Sequence, residues 1–77
     1  MAKMQNFTYT GEYITLGQLL KVVNLALSGG EAKAMLASGA VLVNEVCETR
    51  RGRKLRHGDI VQFGQDSWQL QSSSLQL

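Results

Sequence analysis

Gly39-Ala-Val-Leu-Val-Asn44 is the stretch at which the pattern of this 77-residue chain changes. On its N-terminal side apolar residues recur three and four positions apart, the spacing of a helix with one buried face. On its C-terminal side short β-favouring runs alternate with turn residues, the pattern of strands and hairpins. Gly39 stands where a helix would end on a left-handed residue. The chain therefore reads as helices giving way to a sheet, an α+β domain.

Upstream, Thr15-Leu-Gly-Gln18 is a capping-box pattern and predicts a helix from about Leu16. Leu16, Leu19, Leu20, Val23 and Leu27 would form its buried stripe, with Lys21 facing out. Ser28-Gly-Gly-Glu31 repeats the capping logic for a second helix in which Ala32, Met35 and Leu36 share a face. Downstream, Ala40–Val43 and Val46–Thr49 predict a hairpin about Asn44-Glu45. Gly58-Asp59 turns into a strand at Ile60–Phe63, and Gln65-Asp66 turns into a last strand at Ser67–Gln71. Phe7–Thr10 and Glu12–Ile14 favour extended backbone without a clear place in the pattern. The expected architecture is two short N-terminal helices packed on a small twisted antiparallel sheet. It occupies one domain over residues 1–71, and residues 72–77 form a frayed tail.

Composition excludes several classes. Hydrophobic residues at 44% and charged residues at 18% are neither the signature of disorder nor that of a membrane protein. No apolar run has bilayer-spanning length and no signal-type apolar region opens the chain. Cys47 is the only cysteine and His57 the only histidine, so neither an internal disulfide nor a Cys/His zinc site can form, and a reducing cytoplasm is the natural setting. Cys47, in an alternating apolar run, reads as a buried structural thiol. Trp68 reads as core or edge packing and His57 as the residue leading into a turn. The six acids are scattered, and neither a GxGxxG nor a P-loop sequence occurs. The expectation is a non-catalytic chain with no cofactor, no metal and no small-molecule substrate.

The charges are more informative in place than in sum. Arg50, Arg51, Arg53, Lys54 and Arg56 put five cations and no acid into the eight residues Arg50–His57, leaving three bases and six acids elsewhere, so the net +2 is +5 in one block and −3 in the remainder. A single-sign block points one face toward a polyanion, and arginine favours bidentate contact with phosphate. A second anion site is suggested by Ser28, Gly29, Gly30 and Lys33, where a helix N-terminus offers free N–H groups. Plain capping by Ser28 and Glu31 accounts for the same residues equally well.

Taken together, these motifs resemble the S4-type RNA-binding domain, the alpha-L motif named after a small-subunit ribosomal protein. The resemblance covers about residues 14–63 and rests on Gly39-Ala-Val-Leu-Val-Asn44 followed by Leu55-Arg-His-Gly-Asp-Ile-Val61. Ser28–Lys33 and Glu48–Arg56 are most similar to the small stand-alone bacterial members. The resemblance implies RNA held by Ser28, Gly29, Gly30, Lys33, Arg50, Arg51, Arg53, Lys54 and Arg56, with structured RNA, ribosomal RNA or an assembling ribosomal particle as partner. Many members have Ser-Arg where this chain has Ser28-Gly29, and Glu45 stands where a glycine is usual. Neutralising five phosphates would give a counterion-release slope of roughly −3.5 to −4.5. Two other readings of the block stand beside this one: an adaptor docking an acidic protein, and a non-specific binder of duplex DNA.

Overall fold

The computed structural model describes residues 3–73. In chain order these form β1 (Lys3–Tyr9), β2 (Ile14–Thr15), α1 (Leu16–Val22), α2 (Gly29–Ala37), β3 (Val41–Val43), β4 (Val46–Cys47), β5 (Lys54–Leu55), β6 (Ile60–Phe63) and β7 (Asp66–Ser72). One sheet has the order β1-β7-β6-β3-β4, and β2 pairs with β5 in a separate ribbon. The core lies between the helices and the sheet. Leu16, Leu19 and Leu20 of α1 and Ala32 and Leu36 of α2 meet Val41, Val43, Val61 and Leu70 of the sheet and Leu55 of the ribbon.

The α+β class holds, but the helices are not N-terminal, because β1 and β2 precede them. Nor is the sheet purely antiparallel. β1 runs parallel to β7 in continuous register, from Lys3 beside Asp66 to Tyr9 beside Ser72, while the other neighbours are antiparallel. Parallel strands need a long crossover, and here all of the intervening chain supplies it. Short-range pattern cannot register such a pairing. The same strand takes in Ser72, the first residue of the expected tail, which is buried; its N–H donates to His57 Nδ1 at 3.0 Å. Of the expected tail, residues 74–77 lie outside the described residues.

Both helix starts follow their capping residues. At α1 the box closes reciprocally, the Gln18 N–H donating to Thr15 Oγ1 at 3.3 Å and the Thr15 N–H to Gln18 Oε1 at 3.0 Å. The end of α1 departs from the periodic stripe. Asn24 takes a left-handed φ of 64°, which asparagine tolerates better than most residues, and the Leu25 and Ala26 N–H groups fold back onto the Leu20 carbonyl. Ala26 thus occupies the buried position, and Leu27, expected inside, is 81% exposed. Gly39 ends α2 at φ 79°, as its position implied.

The hairpin between β3 and β4 turns on Asn44 and Glu45, at φ 52° and 70°, the paired left-handed conformation of a tight two-residue turn. Asn44 then ties this turn to the next. Its Nδ2 donates to Asp59 Oδ1 at 3.1 Å, and its Oδ1 accepts the Ile60 N–H at 3.0 Å. Asp59 Oδ2 accepts the Arg56 N–H at 2.8 Å. The two motifs that carried the resemblance, at Val43-Asn44 and Gly58-Asp59, are therefore a single clasp. Trp68 is buried on β7. Cys47 is exposed rather than buried, because two-residue β4 is the sheet's edge; its Sγ lies 3.6 Å from the Gly39 carbonyl.

Candidate nucleic-acid interface

The basic block is divided by the fold into a turn and a strand. In β5, pairing of Leu55 with Ile14 and of Lys54 with Thr15 turns Leu55 fully inward and leaves Lys54 exposed, with Arg56 exposed just beyond. The alternation of strand side chains thus sorts one apolar residue from its cationic neighbours. Before β5, the turn at residues 50–53 lies across the start of α1. The Leu16 N–H donates to the Arg53 carbonyl at 2.8 Å and the Gly17 N–H to the Arg51 carbonyl at 2.9 Å. These are two of the N–H groups that a helix leaves without internal partners, so the turn backbone caps the helix and is fixed by it.

Glu48, just upstream of the block, fixes two of its side chains. Its Oε2 accepts the Arg50 N–H at 3.1 Å and Arg50 Nε at 3.0 Å, and its Oε1 accepts an Arg50 terminal nitrogen at 3.2 Å and an Arg53 terminal nitrogen at 2.8 Å. The Glu48 side chain is 10% exposed, against 72% for Arg50 and 32% for Arg53. Hydrogen bonding from the Arg50 side chain, aided by its backbone N–H and by Arg53, outweighs burial and holds the Glu48 carboxyl at about 2. At neutral pH two of the five cations, Arg50 and Arg53, therefore hold one fixed anion between them.

Arg51 works differently. Its stem packs on Gly17, where an added Cβ would sit 2.4 Å from Arg51 Cγ. Its guanidinium donates to the Gly29 carbonyl at 3.3 Å, and a Cβ on Gly29 would fall 2.9 Å from the same nitrogen. Two glycines on two helices thus make room for one arginine. Thr15, Gly17, Lys21, Gly29, Arg51 and Gly52 line a groove of about 420 Å³ that brings cations from α1 and from the turn to one concavity.

At the start of α2, Ser28 Oγ accepts the Glu31 N–H at 3.2 Å and Glu31 Oε1 accepts the Leu27 N–H at 3.1 Å, the capping roles that their sequence allowed. Gly30 is exposed beside them, and exposed Lys33 is the fifth residue of α2, just past its first turn. The fold thus gathers Gly29 with Arg51, Arg50 with Arg53, and Lys54 with Arg56, whereas Lys33 stands apart from the groove lining. Four contributors were not singled out as site residues from sequence: Glu48, Gly17, Lys21 and Tyr13. Gly17 had a readable signal, since a glycine in the first turn of a helix is unfavourable unless something approaches closely. Tyr13 lies with its ring 5.0 Å from Lys54 Nζ and 5.7 Å from Arg56 Cζ.

The S4 domain family matches residues 7–71, a span that holds both helices, the basic block and the clasp. The chain belongs to the S4 domain family. Within this S4 domain the match begins inside β1, so the parallel strand joins the pattern only from Phe7 onward. The chain is also similar to the probable ribosome maturation protein RlbA of Bacillus subtilis (strain 168), with 52% identity over 52 residues, 68% of this chain and 73% of that protein. Among the described residues no helix is long and apolar enough to cross a membrane, and no cluster of His, Cys, Asp or Glu could hold a metal ion.

Proposed function

We propose that this S4 domain is a non-catalytic module that docks on structured RNA, ribosomal RNA or an assembling ribosomal particle among its targets. The observation that carries the reading is the placement of the basic turn across the starts of both helices. Arg51 lies against Gly17 and Gly29, and Lys21 opens onto the same groove. Arginine forks suit phosphate oxygens, and their arrangement on a rigid turn suits the shape of an RNA backbone more than a base sequence. The relative named as a ribosome maturation protein supports a ribosomal target. Arg50, Arg51, Arg53, Lys54 and Arg56 take the phosphates, with Ser28, Gly29, Gly30 and Lys33 at the α2 end. In this reading the protein works in the cytoplasm and residues 1–71 act as one unit.

Glu48 revises the expected electrostatics. It offsets one of five positive charges, so neutralisation of about four phosphates gives a counterion-release slope of roughly −3 to −3.5. Affinity for a structured ribosomal RNA fragment, titrated from low to moderate salt, measures it. Binding that ignores salt, or that survives replacement of Arg50, Arg51 and Arg53 by alanine in a variant with an unchanged circular-dichroism spectrum, contradicts the proposal. A DNA duplex of equal length, run in parallel, separates RNA docking from general polyanion binding.

A further inference from the structure

Tyr13 immediately precedes β2, and the antiparallel register of β2 with β5, carried one residue further, sets it opposite Arg56. Because Leu55 is turned into the core, Tyr13, Lys54 and Arg56 share the outer face of the ribbon. Tyr13 is 39% exposed and stands outside the buried hydrophobic core, so burial does not account for an aromatic residue here. Two cations lie within 6 Å of its centroid, at 5.0 and 5.7 Å. The ring also walls a groove of about 520 Å³, shared with Phe7, Tyr9, Ile14 and Val22, that reaches Lys21. Lys21 lines the Arg51 groove as well, so the two concavities meet along α1.

A nucleotide is the ligand that satisfies both halves of this patch. Its phosphate competes for Lys54 and Arg56, and a full anionic charge outbids a half-exposed ring, whose attraction for a cation is weak in water. The base, meanwhile, offers the ring a stacking partner. A base inside a duplex cannot reach the ring, because its faces are covered by its neighbours. We propose that Tyr13 is a base-stacking residue and that the outer face of the β2–β5 ribbon receives one unpaired nucleotide of the bound RNA, its base on Tyr13 and its phosphate at Lys54 and Arg56. The proposal rests on the RNA-docking reading and adds a preference to it: RNA with an unstacked nucleotide beside a helix binds better than a continuous helix.

The test uses the full chain, an RNA hairpin carrying a single-nucleotide bulge, the same hairpin fully paired, and a third in which the bulged nucleotide is abasic. Wild-type protein is expected to favour the bulged hairpin by about tenfold or more, the range that one stacked base provides, and to lose the preference with the abasic bulge. Tyr13→Phe keeps the preference. Tyr13→Leu abolishes it, losing about tenfold more affinity for the bulged hairpin than for the fully paired one, and thermal unfolding confirms that the variant is folded. Equal wild-type affinity for all three hairpins overturns the stacking role and leaves RNA docking intact. A Tyr13→Leu variant that weakens on bulged and paired hairpins alike also overturns it, since the ring then serves only to hold the two cations. Failure of wild-type protein to bind any of the three removes the RNA-docking reading itself, and this proposal with it.

Discussion

At neutral pH Glu48 holds a full charge within hydrogen-bonding distance of two guanidinium groups, and the folded chain resists protonating it until about pH 2, against an ordinary value of 4.5. The unfolded chain takes the proton first as acid is added. The stabilisation from this cluster is therefore complete above about 4.5 and is lost as pH falls from there through about 2. Glu48→Gln is expected to lower stability at neutral pH by about 1–3 kcal/mol, the range for losing hydrogen bonds to a charged group. Toward pH 2 the variant and wild type converge. Urea unfolding followed at stepwise lower pH checks this, and two curves that stay parallel contradict it. Glu48 was hidden from sequence reading for a physical reason: in a linear pattern it is one of several scattered acids, and only the turn at residues 50–53 brings Arg53 back onto the carboxylate that Arg50 already occupies.

The hairpin turn between β3 and β4 carries a strain that can be removed. Glu45, at φ 70°, has a side chain in a conformation that costs an ordinary residue roughly 1–2 kcal/mol and costs glycine almost nothing. Glu45→Gly is expected to stabilise the fold by about 1 kcal/mol, read as a higher urea midpoint with an unchanged slope; a lower midpoint contradicts it. This turn also shows what local chemistry could reveal. Capping at Thr15 and Ser28, the left-handed glycine after α2, and the turns at Asn44-Glu45 and Gly58-Asp59 all depend on neighbours a few residues apart, and each is where its residues put it. The misplaced features depend on distant partners. Leu27 had the right spacing but lost its place when Asn24 ended the helix, and Cys47 had the right alternation but fell on an edge with no strand beyond it. The candidate site divides in the same way. Its cations were evident as a run of letters, whereas Lys21 and Tyr13 join them only through the approach of α1 and β2 to the block.

Across the whole molecule, the separation of charge and the closing of the sheet occupy different regions. The cations cluster on the turn and ribbon beside α1, and the pairing of β1 with β7 lies at the far edge of the sheet from the β3–β4 hairpin. No periodicity marks that pairing in advance, because Lys3–Tyr9 finds its partners only after both helices and five intervening strands have been placed. Its parallel sense has a mechanical consequence. Lys3 lies beside Asp66 and Tyr9 beside Ser72, so tension between Lys3 and Ser72 pulls the two strands lengthwise past each other and loads every bond between them at once. Tension between Lys3 and Asp66 would instead open the ladder one rung at a time. Single-molecule pulling is expected to record a clearly higher rupture force for the first pair of anchor points than for the second, with equal forces contradicting it. A domain this small is thus expected to resist stretching along one axis more than along the other.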